Sequence, residues 1–208
     1  MNAGLVQAIG IGFLVFWFAL ETLWDLRKSI ILPLWLVLPP VAAGTAYQLF
    51  FGTWYIAAAM AAALVLHLSD KLPVRIAGTV LLVGASALAG NWALAAGLGL
   101  YWLLWEASIV GGADALAAYA ALMFVPTWEM FFCLLAGIFL WGVGTMIAVY
   151  RGELFERIKR MVYRIALRNL PDEKELTKEG KPTIGGIWIA VVLFAAWGIL
   201  SGGARIGT

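Results

Sequence analysis

Residues 108–124 read SIVGGADALAAYAALMF, a small and oily run with one acid in it, Asp114. Gly111, Gly112 and Ala113 precede the acid, and no charge follows until Glu129. The run predicts a helix with a carboxylate at its mouth. A charge at membrane depth is costly and faces a bundle interior, a partner or a water-filled cavity. Whether the run is a membrane helix, and what its acid faces, depends on the rest of the chain.

Of the 208 residues, 63% are hydrophobic and 12% charged, and the mean hydropathy is +0.93. Soluble domains carry about twice that charged fraction, so lipid is expected to solvate most of this chain. The predicted fold class is all-α, a polytopic transmembrane helix bundle of about eight segments, with six as the lower bound. Residues 1–208 are expected to form a single integral-membrane domain. Cys133 is the only cysteine, which excludes a cysteine zinc site or an internal disulfide. The net charge of +2 says little until it is mapped onto loops, and no nucleic-acid partner is expected. The first apolar run lacks a basic start and a small-residue cleavage site, and is read as a retained helix.

A membrane helix needs about 20 apolar residues. Runs of that kind are predicted near residues 4–24, 31–50 and 53–68. Two shorter pieces follow at 74–90 and 92–106, divided by Gly90 and Asn91, and these are readable as two crossings, as one kinked hairpin or as partly re-entrant. Further runs lie near 114–127, 129–150 and 184–202. Arg27 and Lys28 follow the first run, Lys71 and Arg75 follow the third, and the 151–183 segment carries six basic residues within its first eighteen. Eight crossings put these three groups on one side, which the positive-inside rule makes cytoplasmic. The N-terminus then lies outside a cell membrane. In 151–183, Leu154, Ile158, Met161, Val162 and Ile165 recur at helical spacing against a basic face. This predicts an amphipathic helix on an anionic leaflet, followed by a charged loop.

The same threading brings Asp25, at the end of the first helix, to the side and depth of Asp114. Two carboxylates in a partly dry site do not both ionise easily. One is left as a base that takes a proton from water, and the other as an acid that polarises a carbonyl. The pair titrates as a unit, so neither role belongs to one residue. Gly111 and Gly112 are expected to give the backbone conformations closed to other residues and close approach to a substrate strand. Glu21 lies one turn before Asp25, in place to tune that residue's proton affinity, and reads first as a pore-facing or interfacial acid with a structural partner. His67 with Asp70, Glu106 and Glu129 read as interfacial, and the 11 tryptophans as a membrane-interface belt.

The stretches WDLRKSIILPLWLVLPP and GGADALAAYAAL resemble the type IV prepilin peptidases and archaeal preflagellin peptidases, the GxGD-type aspartyl membrane proteases. Asp25, Arg27, Ile31 and Pro33 match that family's D-x-R…I-P context, with Leu32 intervening before the proline. Gly111 and Asp114 match its G-x-G-D motif, in which Ala113 stands in place of the second glycine. KPTIGGIWIAVVLFAAWG is similar to the family's last segment. The resemblance implies an intramembrane aspartic endopeptidase that removes short basic leaders from pilin-like or flagellin-like precursors at the cytoplasmic face. It implies Asp25 and Asp114 as catalytic, with Gly111, Gly112, Ala113, Arg27 and Pro33 shaping the site, and no metal or organic cofactor. The cysteine-bearing insert and methyltransferase activity of bifunctional members are not expected. Two alternatives use the same acids differently: a proton- or cation-coupled transporter, and an inactive relative serving as a scaffold.

Overall fold

The computed structural model describes residues 3–28, 34–67, 69, 71–106, 110–149 and 184–200. Eight helices occupy them: α1 (Ala3–Lys28), α2 (Leu34–Phe50), α3 (Trp54–His67), α4 (Leu72–Leu88), α5 (Trp92–Glu106), α6 (Gly112–Phe124), α7 (Trp128–Val149) and α8 (Ile184–Leu200). The all-α expectation holds, and there is no strand among the described residues. Pro33, Asp70, the 151–183 segment and the tail lie outside them, as do the side chains of Arg27, Lys28 and His67.

Proline and glycine account for several of the boundaries. Pro73 stands in the first turn of α4, where the N–H it lacks would have no intrahelical acceptor. The pieces around Gly90 are two distinct helices, α4 and α5, packed on each other. The turns at Gly52 and Gly90 have φ of 80° and 77°, a left-handed conformation that glycine adopts without steric cost. In α2, Pro39 and Pro40 lie inside the helix. Pro40 has no N–H for the Leu36 carbonyl, four residues back. The Trp17 indole supplies the missing donor at 2.8 Å and ties α1 to α2.

At the other end of α2, Gln48 donates its amide to the Met123 carbonyl near the close of α6. Pro126 ends that helix and leaves its last carbonyls in need of such partners. Thr53 holds Gln48 in place by donating to its side-chain and backbone oxygens.

Helix α6 is the central element. Ala117, Ala118, Ala120 and Ala121 are fully buried, and α1, α2, α5, α7 and α8 all pack against it. Small side chains let neighbouring backbones approach closely. The exterior is apolar instead: Phe16, Trp54, Val80, Phe139 and Ile199 are each more than 60% exposed. Two helical stretches, Leu5–Leu26 and Trp128–Thr145, are long and apolar enough to cross a membrane. Only 33% and 22% of these stretches are buried inside the bundle.

The register of α1 against α6 sets the site. A methyl group added at Gly10 would strike the Phe124 ring at 2.6 Å, so the start of α1 lies beside the end of α6. Stepping eleven residues along α1 to Glu21 covers about 16 Å, and stepping back ten along α6 to Asp114 covers about 15 Å. The antiparallel pair therefore sets Glu21 level with Asp114, and Asp25 one turn further on, level with Gly111.

Candidate active site

Three acids are buried among the described residues: Glu21 at 0% exposure, Asp25 at 7% and Asp114 at 6%. Two come from the last turns of α1, four residues apart and so on one face of that helix. The third is in the first turn of α6. Asp25 and Asp114, expected from the sequence at the same side and depth, both lie in the interior, Asp25 near the close of α1 and Asp114 in the first turn of α6.

Asp114 is the third residue of α6, and its Oδ2 accepts the backbone N–H of the capping residue Gly111 at 3.1 Å. A carboxylate there also meets the positive end of the helix dipole. The expected role of the glycines needs correction. Gly111 has φ −67° and ψ 153°, an extended conformation open to any residue. Gly111 and Gly112 supply room instead. A Cβ at residue 111 would stand 2.8 Å from Asp114 Oδ2, and one at residue 112 would stand 3.0 Å from the Trp105 indole nitrogen. Ala113 lies inside the first helical turn and packs partly buried against the core. A regular helical position accepts its methyl group, so the backbone needs no glycine there.

Glu21 departs from its reading as an acid with a structural partner. Trp17, one turn back, is close enough to influence it, but the Trp17 N–H is spent on the Leu36 carbonyl. Neither Glu21 oxygen has a hydrogen-bond partner among the described residues. Glu21 is within electrostatic range of Asp114, and so is Tyr101 of α5. The Tyr101 hydroxyl is fully buried and likewise lacks a hydrogen-bond partner among the described residues. Buried polar groups of this kind are uncommon in folded proteins and call for an explanation.

A bracket of partly buried groups backs the turn before Asp114. Arg75 at the start of α4 pairs with Glu106 at the end of α5 at 3.0 Å, and its guanidinium lies over the Trp105 ring at 5.8 Å. Trp105 in turn faces Gly112. Glu106 therefore holds two helix ends together instead of simply meeting the interface. The sequence reading missed Tyr101 and the Arg75–Trp105–Glu106 bracket. The signal for Tyr101 was a single hydroxyl in the otherwise apolar body of α5. Glu129, by contrast, is exposed at the far end of the bundle, in the first turn of α7. Pro33 and the side chain of Arg27 lie outside the described residues.

The arrangement offers buried carboxyl groups at one end of a bundle, with a buried hydroxyl on a neighbouring helix and a helix N-terminus behind one of them. Such groups can take up and hand over protons. No group of three or more His, Cys, Asp or Glu among the described residues is arranged to hold a metal ion. No family model matches the chain, and comparisons with curated proteins and with solved structures find no match.

Proposed function

We propose that the chain is a polytopic membrane protein, with its eight helices in a cell membrane, and that it acts as an aspartic endopeptidase on pilin-like or flagellin-like precursors. One observation carries the reading: Asp25 and Asp114, the two acids that match the GxGD protease motifs, are both buried at one end of an all-helical bundle whose outer surface is apolar. The substrate class rests on the motif resemblance. In this reading the basic leader stays at the cytoplasmic face while the apolar stem of the precursor lies beside α1 and α6. One carboxylate takes a proton from water as the water oxygen adds to the scissile carbonyl carbon. The other donates a proton to the carbonyl oxygen; the amine then leaves with a proton from the pair, which takes one back from a hydroxyl of the collapsing tetrahedral intermediate. Gly111 adds no side chain to the turn at Asp114, so a strand can approach it, while Gly112 makes room for the Trp105 ring.

The test is cleavage of a purified precursor bearing a basic leader by the full chain in lipid vesicles. Asp25→Asn and Asp114→Asn are each expected to abolish cleavage, and unchanged cleavage in both would overturn the pairing. A pH-driven ion flux through the same vesicles without proteolysis would favour the transporter instead.

A further inference from the structure

The peptidase reading uses Asp25 and Asp114 and leaves Glu21 without a task. Yet Glu21 is the most deeply buried acid described, at 0% exposure. The register of α1 on α6 sets it level with Asp114, and it lies within range of that residue's charge. Among the described residues its surroundings offer no compensating cation. Helix α8 packs along α1 and has no titratable side chain. Helix α2 has only Tyr47, which packs on Phe124 at the opposite end of α6. On α1 itself the next titratable group is Asp25, another acid. On α5, Tyr101 has a buried hydroxyl without a hydrogen-bond partner among the described residues, within range of the Asp114 charge.

An isolated carboxylate in an apolar interior is expensive, and two beside each other more so. A single proton held by the pair removes one of the two charges. We propose that Glu21 and Asp114 hold one proton between them, with Glu21 as the store from which Asp114 is reprotonated. The exchange balances: the Glu21 acid gives its proton to the Asp114 carboxylate, and takes one back when Asp114 has lost its own. The role in turnover rests on the peptidase reading, whereas the shared proton does not. Glu21 is then a proton-holding group behind the pair, and need not touch the substrate.

The experiment uses the full chain in lipid vesicles and reads the proton without turnover. Dicyclohexylcarbodiimide reacts with carboxylic acids in apolar surroundings and not with carboxylates, and mass spectrometry locates its adduct. Glu21 is expected to be labelled in the wild type. Asp114→Asn is expected to change the labelling rate of Glu21 by about fivefold or more, because the partner sharing the proton is gone. Asp25→Asn is expected to leave that rate within about twofold, since it lies a turn, about 6 Å, away. A Glu21 that stays unlabelled, or one whose rate ignores Asp114, overturns the shared proton.

Precursor cleavage is measured on the same samples. Glu21→Gln, nearly isosteric, is expected to lower kcat about a hundredfold with KM little changed, and Glu21→Asp to recover part of the loss. Full cleavage by Glu21→Gln overturns the role as a proton store. If the wild type is labelled as expected but cleaves nothing, the peptidase reading fails while the shared proton stands.

Discussion

At the residue scale, the site depends on what is absent at residues 111 and 112. A methyl group at residue 111 would meet the oxygen that accepts the residue's own N–H. Gly111→Ala is therefore expected to turn the Asp114 carboxylate away and lower cleavage about tenfold or more, a loss of about 1.4 kcal/mol in transition-state stabilisation. Its effect on folding should be small, because the backbone at residue 111 is already in a conformation alanine adopts. Steady-state kinetics alongside thermal unfolding separate the two effects, and equal losses in both would contradict the account. At residue 112 the obstacle is the Trp105 ring, so Gly112→Ala is expected to disturb the Arg75–Trp105–Glu106 bracket as well. A partner change should then help: Gly112→Ala with Trp105→Phe is expected to be more stable than Gly112→Ala alone, which a double-mutant cycle measures. The alanine before Asp114 raises no such conflict, because helical geometry at residue 113 has space for its methyl group.

At the scale of elements, side chains satisfy backbone groups that proline leaves open. Trp17 serves the Leu36 carbonyl freed by Pro40, and Gln48 serves the Met123 carbonyl near Pro126. Trp17→Phe keeps the ring packing and removes the donor, and is expected to cost about 1–3 kcal/mol. Restoring the backbone donor with Pro40→Ala should make Trp17→Phe much less costly, and denaturation of the four combinations in detergent tests that coupling. These contacts also mark the limits of the sequence reading. Apolar runs and Gly90 located the eight helices, because each of these signals acts locally along the chain. The buried pair of acids followed from threading the helices up and down. Glu21 and Tyr101 were harder to place, because their importance depends on the rotation and register of α1, α5 and α6 against one another. The tryptophans, read as a uniform belt, divide in the structure. Trp54 and Trp92 are exposed near helix starts, while Trp17 and Trp105 hold backbone and site in place. The glycines at residues 111 and 112 were recognised, but for backbone freedom; the need for space shows only once Trp105 and the Asp114 carboxylate are in position.

For the whole molecule, the basic charge of the described residues is sorted to one end. The basic residues within the described helices and turns are Arg27, Lys28, Lys71 and Arg75. All four sit at the end of the bundle that holds Glu21, Asp25 and Asp114, where α1, α3 and α5 finish and α4 and α6 begin. The opposite end, with the turns at Gly52 and Gly90 and the close of α6, has no Lys or Arg among the described residues. Positive charge in short loops is retained on the cytoplasmic side, and the apolar belt between the two ends faces outward. If the bundle spans a membrane as proposed, Ser69 and Asn91 belong to opposite faces, because α4 runs from one end to the other. Cys133 is the only native cysteine, so Cys133→Ser gives a background in which a single new thiol reports its side. A membrane-impermeant maleimide is expected to label Asn91→Cys on intact cells and Ser69→Cys only in inverted vesicles. Labelling of both from one side would mean that α4 does not cross, and would move the buried acids off the cytoplasmic face where a precursor's basic leader is retained. Labelling of each from the opposite of its expected side would keep the bundle and reverse it, leaving the acids facing outward and the leader-processing reading without access to its substrate.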